Sequence, residues 1–169
     1  MSIVSVQATI PLGRLRAFGR QFDASSIVAQ DLLTQWAVRY RTFVQRRFVA
    51  QSRGAGEWLP LIRGRRRGSR RRAAILRDTD MLFGALSPSF SGSPGQHEER
   101  RGFSIIVGYG GPARHPGSSV SVADIASFHQ VGAGFLPVRK IIVAPDGRTL
   151  QSMHGDGVRA AKRAKRESF

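Results

Sequence analysis

The sequence predicts an α+β domain: one long amphipathic helix packed on a small, mainly antiparallel β-sheet, with short accessory helices and long loops. Three observations predict it. Residues 25–51 carry apolar side chains three and four apart (Ala29, Leu32/Leu33, Trp36, Tyr40, Phe43/Val44, Phe48), with no Gly or Pro among them. Short β-prone runs, IVSVQATI near the start and FSIIVGY at residues 103–109, flank that helix. The chain has 169 residues, enough for one domain with an adequate core. We divide it into a domain over residues 1–157, with a basic loop at 63–72 and another loop at 87–102, and a basic tail at 158–169.

In order, Ile3, Val4, Val6, Ala8 and Ile10 form a first strand, closed by Pro11. Leu12, Leu15, Phe18 and Phe22 recur at helical spacing and predict a short helix over 12–22, although Gly13 and Gly19 weaken it. Asp23 or Ser25 is placed to cap the long helix, and Gly54 and Gly56 to stop it. At about 1.5 Å per residue it spans roughly 40 Å. Trp58, Leu59, Leu61 and Ile62 then anchor the chain before a run of arginines. Asp78 or Thr79 is placed to cap a helix whose apolar face is Met81, Leu82, Ala85 and Leu86. Residues 87–102 read as a loop joining a strand at 89–91 to one at 103–109. A helix over 122–131, with Ile125, Phe128 and Val131 inward, is followed by a strand at 138–143. Pro145-Asp146-Gly147 signals a turn, making 149–153 a hairpin partner. Gly155-Asp156-Gly157 separates off a basic tail, helical or frayed.

Charge is unevenly distributed. Lys and Arg number 27 against 11 Asp and Glu, for a net charge of +16. Residues 63–72 contribute seven positive charges, and residues 158–169 five positive and one negative, so these two segments hold +11 and the rest of the chain +5. Arg63, Arg65, Arg66, Arg67, Arg70, Arg71 and Arg72 have no apolar neighbour to bury and repel one another, which describes a solvated loop or one that lies against nucleic-acid phosphate or an acidic partner. No aromatic interrupts the run, so base stacking has no support. Arginine outnumbers lysine 24 to 3, a bias that both phosphate recognition and a GC-rich genome produce.

Catalytic patterns are missing from the sequence. His97, His115, His129 and His154 are scattered without metal-ligand spacing. Gly132-Ala133-Gly134 is followed by Phe135 and Pro137 and lacks the third glycine of a dinucleotide fingerprint. There is no G-x-S-x-G nucleophile. No enzyme, metal or cofactor is therefore expected. Without cysteine, a secretory order at the start or a run of about eighteen apolar residues, the chain is expected to avoid membranes and to assemble in a reducing cytoplasm.

Two segments carry a family resemblance. Trp58-Leu59-Pro60-Leu61, a basic stretch, and Ile75-Leu76-Arg77-Asp78-Thr79-Asp80-Met81-Leu82 form the first. Ile125-Ala126-Ser127-Phe128-His129-Gln130-Val131-Gly132 followed by Leu136-Pro137-Val138-Arg139-Lys140 forms the second. Together they resemble the virion-morphogenesis (tail-completion) family of Mu-like tailed phages. Its patterns are W-x-P-L, a lysine-rich segment and I-L-x-D-T-G-x-L, then Y-A-x-x-H-Q-x-G and I-P-A-R-P-F-L. Asp80 stands where the family has Gly, and Ile125, Val138 and Lys140 depart from it. The resemblance covers roughly residues 25–143. It implies a non-catalytic structural protein at the head–tail junction of a virion, working as a ring assembled in the host cytoplasm. The expected ring has six copies, with twelve as the alternative. The implied partners are further copies of the chain, the head connector, the tail terminator or tail tube, and genomic DNA in the channel. Trp58, Asp78, Thr79, His129, Gln130, Gly132, Pro137 and Arg139 are its motif and subunit-interface residues. His129 is expected to bond the loop ending at Pro137, and Arg139 to bond across that loop or to a neighbour. The alternative is a small ribosomal-like nucleic-acid-binding protein whose arginine run and basic tail are its function.

Overall fold

Helix α1 (Ile27–Ser52) buries most of the stripe read from the sequence: Ala29, Leu32, Leu33, Trp36, Tyr40, Val44 and Phe48 face inward, Phe43 is half-buried, and Ala37 joins them. The computed structural model describes residues 4–9 (strand backbone), 27–53, 56–59, 76, 80–87, 94–134 and 136–167. Within them the order is β1 (Val4–Thr9), α1, α2 (Met81–Ala85), β2 (Gln96–Arg101), β3 (Ser104–Tyr109), α3 (Val122–Val131) and α4 (Gly147–Glu167). This is an α+β arrangement of a long helix on a small antiparallel sheet. The helix expected at 12–22, the strand at 89–91, Asp23, Ser25 and Gly54 at the ends of α1, and the 63–72 loop lie outside the described residues.

The three strands are ordered β1-β3-β2, antiparallel throughout, and both edge strands align with Tyr109 of β3, at Val4 and Gln96. Central β3 sends Ile105, Val107 and Tyr109 into the core beneath α1, the period-2 face of a strand. The Tyr109 hydroxyl, fully buried, donates to the Leu82 carbonyl at 2.8 Å and so ties α2 to the sheet.

Residues 96–101 are a strand, not the expected loop. QHEERR has no apolar alternation to announce one. The strand forms because its backbone pairs with β3 across a two-residue turn, Gly102-Phe103, whose Gly102 (φ 55°) takes the positive φ that tight hairpin turns need at their first central position. Its charges are consumed locally. Glu98 accepts from the buried guanidinium of Arg41 on α1 and from Arg100 at 3.0 Å, and Arg101 pairs with Glu99 at 2.6 Å. Burial alone would raise the Glu98 carboxyl, but the bonds from Arg100 and Arg41 outweigh it and hold the group below its usual range.

Two further expectations change at the C-terminal end. Pro145-Asp146-Gly147 opens a helix where a hairpin was expected: the Asp146 carboxylate accepts from the Thr149 amide at 2.8 Å and its carbonyl from the Leu150 amide at 2.9 Å, an N-cap. Nor does Gly155-Asp156-Gly157 interrupt α4. Helix α4 lies along α1, whose close approach uses Met153, Gly157 and Ala161. The Trp36 indole N–H donates to the Met153 carbonyl at 3.0 Å. Asp156, buried between the helices, accepts from Arg39 (Nη2 to Oδ1, 2.9 Å) and from Arg159. Among the described residues no helix is long and apolar enough to cross a membrane.

Trp36→Ala should cost about 3–5 kcal/mol, because it empties the α1–α4 contact as well as removing the indole bond. Trp36→Phe, which keeps most of the volume, should cost much less. Denaturant midpoints of the two variants check this, and equal losses would show that cavity formation is not the dominant effect.

Candidate functional site

The second motif segment builds a closed clasp. Ser121 starts α3: its hydroxyl accepts from the Asp124 amide at 3.0 Å and donates to the Asp124 carboxylate at 2.6 Å. Helix α3 ends at Gly132, where φ is 76° and a Cβ would stand 2.7 Å from Val138 Cγ2. Only glycine meets both demands, the left-handed turn and the close return of the chain. Residues 136–142 then fold back against the helix they have just left.

Those returning residues are extended but form no strand, contrary to expectation. Their hydrogen bonds go to α3 instead. The Arg139 amide donates to the His129 carbonyl at 2.7 Å. The Gln130 side chain accepts from the amides of Ile141 (2.9 Å) and Ile142 (3.0 Å) and donates to the Ile142 carbonyl at 2.7 Å. One carboxamide thus stands in for a neighbouring strand and satisfies three backbone groups. Pro137 is half-buried at the bend.

Arg139 connects this clasp to the first motif segment. Its side chain is buried, and its Nη2 donates to the Leu59 carbonyl at 3.1 Å. The neighbouring Trp58 is also buried, edge-on to Phe48 of α1 with centroids 5.1 Å apart, and its amide donates to Gln51 Oε1 at 2.9 Å. Trp58, His129, Gln130, Gly132 and Arg139 therefore converge and act within the subunit. Asp78, Thr79 and the seven arginines of the run lie outside the described residues. Asp80, beside them, is the residue before α2 and has φ 53°, the left-handed region that favours glycine.

His129 is buried at the hinge of the clasp. Burial, and then the charge of Arg139, push its imidazole down to about 4 from an ordinary 6.5, so it is neutral at pH 7. It shares a cleft with His115, Ile125, Phe128 and Leu136. Among the described residues no group of three His, Cys, Asp or Glu comes together to hold a metal.

Sequence reasoning missed the outer face of α3. The inward residues are Val122, Ala123, Ala126 and His129, not Phe128 and Val131. The small side chains at 123 and 126 let α3 sit close to the sheet, and the larger ones turn out. Phe128 (39% exposed), Val131 (67%), Leu136 (43%) and Val138 (49%) leave an apolar surface around the clasp. No family model, curated protein or solved structure matches the chain.

Gln130→Ala should destabilise the protein by about 2–4 kcal/mol, because three backbone groups lose their partner. Gly132→Ala should be at least as damaging, through the forced φ and the clash with Val138. Thermal melts of the two variants test this. The pH dependence follows from His129. Its depressed pKa means the unfolded chain binds more protons, so stability is fully present above pH 6.5 and falls as pH drops from there toward 4. Chemical denaturation at pH 7.5 and pH 5 should show that loss, and His129→Gln should show a smaller one.

Proposed function

We propose that this chain is a structural protein of a tailed-phage virion, a neck or tail-completion subunit that forms a ring at the head–tail junction. The observation that carries the reading is the meeting of its two motif segments. Residues 58–59 and 129–139 are some seventy positions apart in the chain, and the bond from Arg139 to the Leu59 carbonyl joins them. That contact is what supports reading the two segments together. Asp80 adds support: the position where the family pattern has Gly has the backbone conformation that glycine adopts most readily. In this reading the clasp shapes the subunit, and the apolar surface of Phe128, Val131, Leu136 and Val138 meets the neighbouring copy. A closed ring of six copies, or twelve, uses two different faces of each subunit. Its neighbours along the tail axis are the head connector and the tail terminator or tube.

The alternative, a monomeric nucleic-acid-binding protein, rests on the concentration of positive charge. The two readings separate on self-association and on virion content. Electron microscopy of the purified protein, alone and added to tail-less heads, should show rings. Val131→Asp together with Phe128→Asp should leave the far-ultraviolet circular dichroism unchanged and abolish rings. Serine at Arg65, Arg66, Arg67, Arg70, Arg71 and Arg72 should likewise spare folding but reduce the joining of heads to tails. Absence of the protein from purified virions would overturn the reading.

A further inference from the structure

The face that α1 and α4 share outside the core is unlike the apolar surface around α3. Side chains from residues 34–50 of α1, from the start of α4 and from the segment leading into it line an open groove of about 970 Å³. Its walls carry Arg39, Arg46 and Arg47 from α1 and Arg148 from α4, against one acid, Asp146. Asp146 is committed to capping α4, Arg39 to Asp156, and Arg47 to the exposed Glu57 at 3.4 Å. Arg46 and Arg148 are exposed and form no close ion pair among the described residues, although the charge of Arg148 reaches the Asp146 carboxyl, which the bond from Thr149 chiefly holds below its usual range.

The groove continues as a ridge. At 100° per residue, Arg148, Ser152, Arg159, Lys162, Arg163 and Arg166 project within about 100° of one another, on a single face of α4. From Arg148 to Arg166 that face extends roughly 27 Å at 1.5 Å per residue. Asp156 answers Arg159, and Asp31, on the exposed surface, lies 3.5 Å from Arg163. Lys162 and Arg166 have no acidic partner among the described residues.

We propose that the α1–α4 groove and the basic face of α4 bind the phosphate backbone of a nucleic acid without reading its sequence. The length of the array favours an extended polyanion. A row of cations about 27 Å long spans about eight base-pair rises of a duplex, roughly 3.4 Å each, and meets phosphates where the winding backbone turns toward it. The arginine guanidinium suits phosphate oxygens, to which it donates two bonds at once. The groove is open, and Val38, Phe43 and Ala144 lie among its lining residues beside the arginines. The proposal is separate from the ring reading and survives its failure. It also differs from contact through residues 63–72, because it uses side chains on two packed helices.

The test is binding of the full-length protein to a labelled 30-base-pair duplex over a series of salt concentrations. Serine at Arg46, Arg148 and Arg166 removes three exposed charges from the array. The slope of log K against log salt should become shallower by about 2.7, some 0.9 per lost phosphate contact. Lysine at the same three positions should keep the slope, since it keeps the charge. An unchanged slope and affinity in the serine variant would overturn the proposal and leave the 63–72 run as the binding element. So would loss of the slope in the lysine variant. Capture of poly-glutamate but not of the duplex would overturn it in favour of an acidic protein partner.

Discussion

The stripe on α1 needs cover from several directions at once, and that demand organises the fold. A helix of 26 residues buries a dozen of its side chains, far more than one short sheet can cover. The sheet supplies Ile105, Val107 and Tyr109, α4 supplies Met153 and Ala161, and Trp58 closes the far end against Phe48. Each of these elements is too short or too polar to be stable alone, so their stability is largely that of their contact with α1.

Burying so much of α1 also buries charged groups beside it, and two of these meet specific partners. Arg41 is drawn under the sheet and is answered by Glu98, in the strand that lacked an apolar pattern. Asp156 is drawn between α1 and α4 and is answered by Arg39 and Arg159. Ion pairs of this kind add little net stability, because desolvation offsets much of the attraction, but losing one partner is costly. They therefore fix which strand and which helix face α1. The Gln130 clasp does the same with a neutral group, holding residues 139–142 without a strand partner.

These constraints leave two surfaces of opposite character. Around the clasp Phe128, Val131, Leu136 and Val138 are exposed, while one face of α4 and the groove beside it concentrate cations. A subunit that meets its own copies through one surface and a polyanion through the other is compatible with an assembly that encircles or contacts nucleic acid. The inward rotation of Ala123 and Ala126 creates the apolar surface, since it turns Phe128 and Val131 away from the core.

Several features were legible in the sequence for local physical reasons. The period of apolar residues marks α1 and its buried face, and it marks α3 as a helix without identifying the face that is buried. The β-prone run FSIIVGY marks β3. The motif residues His129, Gln130, Gly132 and Arg139 were also identifiable, but not their roles: the bonds of Gln130 reach eleven and twelve residues on, and that of Arg139 reaches eighty residues back. What tertiary structure alone decided follows the same logic. The strand at QHEERR exists through its pairing with β3 and its ion pairs, neither of which leaves a periodic trace. The Asp146 cap and the packing against Trp36 settle whether Pro145-Asp146-Gly147 begins a hairpin or a helix, and whether Gly155 and Gly157 break it. Glycine disfavours a helix by about 1 kcal/mol, a cost that burial of Met153 and Ala161 and the Asp156 ion pairs readily exceed.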